Sequence, residues 1–465
     1  METAHSIIAG LNRIDEVLWS QFLVYLLVGI GLFFTVRLKG MQFRYLSYSL
    51  KLAFTRKDNQ AQGDISQFQA LMTALAATIG IGSIAGVATA IVAGGFGAIF
   101  WMWMIALVGM VTKFAEAILA VKYRVVDSKG QMAGGPMYYI ANGLKKRWLG
   151  ALFAVFCALS AFAGGNFIQS NSIAAAVQDL THLPVAWTGG ILSIVTAVVL
   201  FGGIKSIGKL SSYLVPIMAL LYVIGGLVIL AVRFEHIPLG LWTIVSTAFT
   251  GQAAFGGFLG ASVMAAVQLG VARGVSSNEA GLGSAPIAAA AAKTDVPGRQ
   301  ALISMSSVFL SSLVVCTITA LVIAVTGVLG VTGDDGKALN GALLVMHAFR
   351  SVIPGGDAIV TVGLVLFGYT TIVGWAYYGE KCMEFLIGER ALVFYRTLFC
   401  LAVFFGAVMS FEIVWPLADI MNGLMALPNL IGLIGLSSVV LSESRLFFAL
   451  LDREKRLKEE VKIIN

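Results

Sequence analysis

Charge is scarce in this 465-residue chain. Asp, Glu, Lys and Arg make up 12% of it, against about 25% in soluble domains, and that shortage excludes a water-soluble fold. Cysteine is scarce as well. Cys157, Cys316, Cys382 and Cys400 are scattered without metal-ligand or disulfide-framework spacing, so they read as packing residues. The four histidines, His5, His182, His236 and His347, all fall in segments predicted to lie outside the membrane. That argues against a histidine proton relay or an intramembrane metal site. HExxH, P-loop and nucleophile-elbow motifs are missing, and no enzyme chemistry is indicated. The first apolar segment, 18–37, is long enough to span and lacks a small-residue cleavage site, so a cleavable signal peptide is not expected.

What the chain has instead is apolar sequence: 58% hydrophobic residues and a mean hydropathy of +0.89. Runs near 20 residues recur along its length, as transmembrane helices require. The reading is an all-α polytopic membrane protein with about 11 spans, roughly 17–36, 68–94, 97–121, 149–178, 185–203, 210–232, 256–275, 301–329, 357–380, 392–411 and 415–442. Loops rich in Lys and Arg stay in the cytoplasm. With the N-terminus outside and the C-terminus cytoplasmic, 26 of the 31 cations fall in the loops 37–67, 122–148, 204–209, 273–300 and 381–396 and the tail from 443. The net charge of +7 is thus a topology signal, and no nucleic-acid partner is implied.

Two stretches resist a simple count. Residues 243–293 are far more than one crossing needs, and predict a crossing plus a further helix or re-entrant piece. Segment 337–353 carries His347 and Arg350 and predicts an amphipathic helix on the outer surface. Setting aside the first helix leaves ten spans, and an odd number per half makes the second five enter the membrane in the opposite sense to the first. That parity predicts a 5+5 inverted repeat, with an extra N-terminal helix and basic loop (1–67), a first half (68–232), a second half (233–442) and a basic tail (443–465). The opening helix of each half, the first and sixth of the core, is interrupted by glycines: Gly80, Gly82 and Gly86 in one, Gly270, Gly274, Gly281 and Gly283 in the other. Transporters of this kind place substrate at such broken helices.

Glycine inside a helix costs about 1 kcal/mol relative to alanine. A break also frees backbone groups that lipid cannot satisfy. The freed amides suit a carboxylate and the freed carbonyls a hard cation such as Na⁺, so "TIGIGS" (78–83) reads as a binding site made of backbone. The competing reading is close packing, because Gly82 and Gly86 also form a small-xxx-small pair. Polar residues elsewhere favour binding: Asn166, Gln169, Asn171 and Ser172; Thr370 and Thr371 with Trp375 one turn on; and Ser276, Ser277, Asn278 and Glu279 beside the second set of glycines. Amides and hydroxyls in hydrocarbon face the bundle interior, for binding or for interhelical bonding. Lys113 and Glu116, three apart, are expected to pair on one helix face, as a structural bridge or a gate. Glu279 is a candidate to cap a helix, gate, bind a cation or carry a proton.

At these residues the chain resembles the alanine or glycine:cation symporters, also called sodium:alanine symporters. The resemblance runs over roughly 68–442. Its most specific parts are "GGFGAIFWMWMIALVG" (94–109), "GGPMYYIANGL" (134–144), "ARGVSSNEAGLGSAPIA" (272–288) and "GWAYYGE" (374–380). It implies a leucine-transporter-like fold and uptake of small neutral amino acids such as alanine and glycine, driven by Na⁺ or less often H⁺. It further implies a multi-pass protein of a bacterial inner membrane, surrounded by lipid, with no cofactor beyond Na⁺ as coupling ion. Carried over by position, the substrate would meet Thr78, Gly80, Ile81, Gly82, Ser83, Asn166, Phe167, Gln169, Thr371 and Trp375. The ion would meet backbone carbonyls of Ala76 and Ile79 with the hydroxyls of Thr370 and Thr371. Asn278, Glu279, Lys113 and Glu116 are left as gating or coupling candidates. The chain departs from the family pattern at Ser83, where asparagine is common, at Phe96, where proline is usual, and at Ser276, where phenylalanine is usual. A proton-coupled carrier using Glu279 and an amino-acid-sensing transceptor remain as alternatives, while a channel lacks a repeated selectivity filter.

Overall fold

The computed structural model describes residues 2–55, 61–252, 261–333 and 336–464. They form a nearly all-helical bundle, with one small hairpin pairing Val125–Val126 with Met132–Ala133. Seven of the described helices are long and apolar enough to cross a membrane, or eight if the bent pair Val24–Arg37 and Met41–Phe54 counts as one span. The interrupted segments and the continuous helix Val185–Leu200, of 16 residues, fall below that length, which is why this number is smaller than 11.

The first helix runs from Glu2 through a wide turn at Trp19–Leu23 to Arg37. It starts well before the expected position 17 and packs against Gly97–Lys122 and Phe411–Gly435. The basic loop 37–67 contains a second helix, Met41–Phe54, bent 85° from the first. Gly40 in the left-handed region (φ 62°) makes that corner.

Ser66 starts the next helix, Gln67–Thr78, through a reciprocal cap: its hydroxyl accepts from the Gln69 amide at 3.1 Å, and its own amide donates to Gln69 Oε1 at 3.0 Å. That helix stops at Ile79. A short turn, Ile81–Ser83, follows, and a new helix, Ala85–Gly94, carries on. Gly86 has no atom within 4 Å of where a Cβ would sit, so close helix packing does not account for it.

The second interruption ends the Ser262-capped helix Val263–Asn278 at Glu279 (φ 56°). An irregular stretch with Gly281 (φ 89°) and Gly283 (φ 83°) leads to the short helix Pro286–Ala290. At Gly281 and Gly283 both φ and crowding, by Leu27 in one case and Pro136 in the other, exclude a side chain. The expected further helix near 243–293 is Ile237–Thr250, and residues 256–260 of the span 256–275 lie outside the described residues. Segment 337–353 forms a ten-residue helix, Gly341–Arg350. It buries Leu344, Val345 and Phe349 against Ala85–Gly94 and Gly356–Ile387, so its apolar face is covered by protein. The last expected span, 415–442, is cut at Leu436. Phe411–Gly435 spans, and Ser437–Ile464 is a separate helix that includes the basic tail.

Candidate functional site

The helix break is left unpaired in a specific way. Ile79 donates to the Leu75 carbonyl at 2.7 Å, and Ser83 to Gly80 at 3.1 Å. Between them the ladder fails. Among the described residues, the Gly80 and Gly82 amides find no acceptor, and the carbonyls of Ala77, Thr78 and Ile79 accept no hydrogen bond. Buried backbone groups are almost always paired, so five freed groups within residues 77–82 form a concentrated set of dipoles.

Side chains from three other helices close around this break. Gln169 Oε1 accepts from the Ile81 amide at 3.2 Å, while its Nε2 donates to the Gly164 carbonyl at 3.0 Å. Thr371 Oγ1 lies 2.8 Å from the Ala76 carbonyl and 2.9 Å from that of Phe367. The Trp375 indole donates to Glu279 Oε1 at 2.9 Å, and Ser284 donates to Glu279 Oε2 at 2.6 Å. The cavity is small, about 30 Å³, and is lined by Thr78, Gly80, Gly82, Gln169, Thr371 and Trp375 together with Glu279 and Ser276.

Other candidates stand apart from that wall. Ile81 and Ser83 are buried behind it. The Ser83 hydroxyl meets Ser277 Oγ at 3.1 Å, and the Ser83 carbonyl accepts from Thr319 at 3.0 Å. Asn166 and Gln169 were expected to share a face, but the chain makes a wide π-type turn at Ala163–Phe167. Such a turn inserts a residue and rotates what precedes it. Asn166 therefore donates to the Phe399 carbonyl at 2.9 Å, away from the cavity, and Phe167 packs beside Gly406. Asn171 donates to the Met409 carbonyl at 2.6 Å. Thr370 and Thr371, one residue apart, point in different directions on a helix. The Thr370 hydroxyl meets Met218 Sδ at 3.5 Å and the Phe367 carbonyl at 3.1 Å, so it does not join Thr371 at the break.

Lys113 and Glu116 make no ion pair with one another among the described residues. Both reach across to the second interruption. The Lys113 ammonium donates to the Asn278 carbonyl at 2.8 Å, where helix Val263–Asn278 ends. Glu116 Oε1 accepts from the Gly281 and Gly283 amides, each at 3.1 Å, and from Asn429 Nδ2 at 2.7 Å. Cation on freed carbonyl and carboxylate on freed amides is the arrangement that helix ends favour. Asn278 turns inward, its Oδ1 accepting from the Ala280 amide at 2.9 Å.

Sequence reasoning missed Trp415 and Asn422, which complete the cavity wall from helix Phe411–Gly435, and Gly164 in the wide turn. The available signal was a polar residue and an indole within the apolar run "VWPLADIMNGLMALPN". At the departures, the Phe96 amide, which proline would lack, donates to Gln252 Oε1 at 2.8 Å, and Ser276 lines the cavity. Among the described residues, no group of three or more His, Cys, Asp or Glu side chains is placed to hold a metal ion.

Membrane-length helices packed around an interrupted one, with a small cavity at the break, are the architecture of the leucine-transporter-like fold. The solved structure of MhsT in complex with L-phenylalanine shares that fold, at a TM-score of 0.58 with 14% sequence identity, over 83% of this chain and 93% of that one. The model of the sodium:alanine symporter family matches residues 3–462, and the chain belongs to that family. It is 53% identical to the sodium/alanine symporter AgcS of Methanococcus maripaludis, over 94% of this chain and 96% of that protein. It is 40% identical to the probable sodium/glutamine symporter GlnT of Bacillus subtilis, over 92% of this chain and 87% of that protein. The chain is therefore a multi-pass membrane transporter, not an enzyme.

Proposed function

We propose that the protein takes up small neutral amino acids, such as alanine and glycine, together with Na⁺. One observation carries this reading: the Gly80 and Gly82 amides and the carbonyls at 77–79 are left unpaired beside a polar cavity. The amides suit the substrate carboxylate, and the carbonyls suit a hard cation. Thr78, Gly80 and Gly82 supply the backbone contacts, Gln169 orients the turn through Ile81, and Thr371 with Trp375 limits the side-chain space. Ile81 and Ser83 act from behind, as props of the turn. The ion ligands are the Ala76 and Ile79 carbonyls with the Thr371 hydroxyl, and Thr370 is given up because it faces Met218. Substrate size is the open quantity, since the names of the two relatives differ on it: alanine for one, glutamine for the other.

Transport follows alternating access, with the two halves 68–232 and 233–442 as an inverted repeat of five spans each, the N-terminus outside and the C-terminus in the cytoplasm. Counting Gln67–Thr78 with Ala85–Gly94 as one crossing, and Val263–Asn278 and Val185–Leu200 as one each, brings the eight to eleven. The energy comes from the ion gradient, about 2.3 kcal/mol per charge per 100 mV.

A proton-coupled carrier is the second reading, favoured by Glu279, which lines the cavity and holds both Trp375 and Ser284. Alanine uptake into proteoliposomes, with Na⁺ and pH gradients imposed separately, separates the two. Uptake that follows the Na⁺ gradient at constant pH is expected. Uptake indifferent to Na⁺ but driven by a pH gradient, and abolished in Glu279→Gln, overturns the Na⁺ reading.

A further inference from the structure

A buried ion pair lies beside the cavity, with a second carboxyl near it. Arg273, on helix Val263–Asn278, donates to both carboxylate oxygens of Asp419 on helix Phe411–Gly435, and its guanidinium lies 5.1 Å from the centre of the Trp415 ring. Trp415 and Asn422 line the cavity, and Asp419 stands one turn from each. The pair therefore ties the helix that carries Glu279 to the helix that carries the cavity's missed wall. The first helix completes the cluster. The Trp19 indole donates to the Asp419 main-chain carbonyl at 3.2 Å. One turn earlier, Asp15 lies close enough to Arg273 and Asp419 for their charges to act on it. Its Oδ1 is buried, and no hydrogen-bond donor reaches it among the described residues.

A buried, unpartnered carboxylate oxygen beside a guanidinium that another carboxylate already occupies is costly in this arrangement. It becomes useful if the guanidinium changes partner. In the alternating-access reading, opening the cavity past this pair would separate helices Val263–Asn278 and Phe411–Gly435. That would strand Arg273, and a buried charge left without its partner is strongly unfavourable. We propose that Asp15 is a positioning residue that receives Arg273 when the Arg273–Asp419 pair opens, so that the N-terminal helix serves the transport cycle as the second station of a two-position latch. The inference rests on the alternating-access reading above.

The test uses the full-length protein in proteoliposomes with Ser276→Cys as a reporter in the cavity wall, labelled from outside by a membrane-impermeant thiol reagent. The protein without that cysteine supplies the background. Asp419→Asn is expected to raise the labelling rate by on the order of tenfold, because the closed station is weakened. Asp15→Asn is expected to lower it by a similar factor and to lower maximal uptake with little change in KM, and Asp15→Glu is expected to restore both. Asp15→Asn with unaltered labelling and unaltered maximal uptake overturns the proposal, as does a loss of uptake that Asp15→Glu leaves unrepaired while labelling stays at the parent rate. If the parent reporter itself labels at the same rate with and without Na⁺ and alanine, the alternating-access reading has failed instead.

Discussion

Replacing Gly80 by alanine separates a binding site made of backbone from a packing motif. The position has φ −101° and ψ −161°, a conformation open to any residue, so the substitution carries no backbone strain. Its effect is steric. The added Cβ would lie 2.5 Å from Thr371 Oγ1, 3.2 Å from Gln169 Oε1 and 3.3 Å from Thr371 Cγ2. Relieving the first contact requires Thr371 to retreat from the Ala76 carbonyl, and the second loosens Gln169 on the Ile81 amide. Overpacking of this kind costs about 1–3 kcal/mol, and each weakened hydrogen bond about 0.5–1.5 kcal/mol. Around 3 kcal/mol directed at the site corresponds to about a 100-fold loss of substrate affinity. Gly86→Ala is the control, since its Cβ meets nothing within 4 Å and alanine is the better helix former. The assays are alanine binding to purified protein in Na⁺, uptake in proteoliposomes, and thermal unfolding in detergent. The expected pattern is loss of binding in Gly80→Ala with its unfolding temperature within a few degrees of the parent, and full activity in Gly86→Ala. Normal binding in Gly80→Ala, or equal damage from Gly86→Ala, would refute the reasoning.

Glu116→Ala leaves the Gly281 and Gly283 amides and Asn429 Nδ2 without their shared acceptor. At about 1–3 kcal/mol for each buried orphan, its unfolding temperature should fall clearly below that of Ser128→Ala, a change at an exposed hydrogen bond; an unchanged value would mean the second interruption holds itself. Trp375→Phe removes the indole donor to Glu279 and keeps an aromatic ring, so substrate affinity is expected to drop about tenfold or more, read by the same binding assay; no change would remove that bond from the site. In the loop 123–135, burial pushes the Asp127 carboxyl up, but the Gln131 and Lys129 amides and the Lys381 ammonium outweigh it and hold the group below its ordinary 3.8. A depressed carboxyl contributes stability that is complete above the ordinary value and is lost as pH falls through the lower folded-state value. Hydrogen exchange in the loop 123–135 is therefore expected to show constant protection across the neutral range and loosening only in strong acid. Loosening between neutral and mildly acid pH would contradict the assignment.

Most spans were legible because lipid makes backbone satisfaction a local requirement, and a run near 20 apolar residues meets it as a helix whatever surrounds it. The places where the reading slipped are those where neighbours intervene. The wide turn at Ala163–Phe167 sends Asn166 to Phe399 and leaves Gln169 at the break, although the two sit three apart in sequence. Lys113 and Glu116 have helical spacing for a mutual bridge, but each found better partners among the freed groups at 278–283. The boundaries at 2, 436 and 237 moved because a helix end depends on capping and on what packs beside it.

By itself the sequence determined that this is a membrane protein with a helix broken at Gly80, because hydropathy and glycine act within a few residues of where they stand. Tertiary structure alone decided which side chains meet at that break. Gln169 lies 88 residues from Ile81, and Thr371 lies 295 from Ala76; Trp415 and Asn422 reach the cavity from a helix near the other end of the chain. Rotation of a helix about its own axis selects such partners, and one extra residue in a turn is enough to change them.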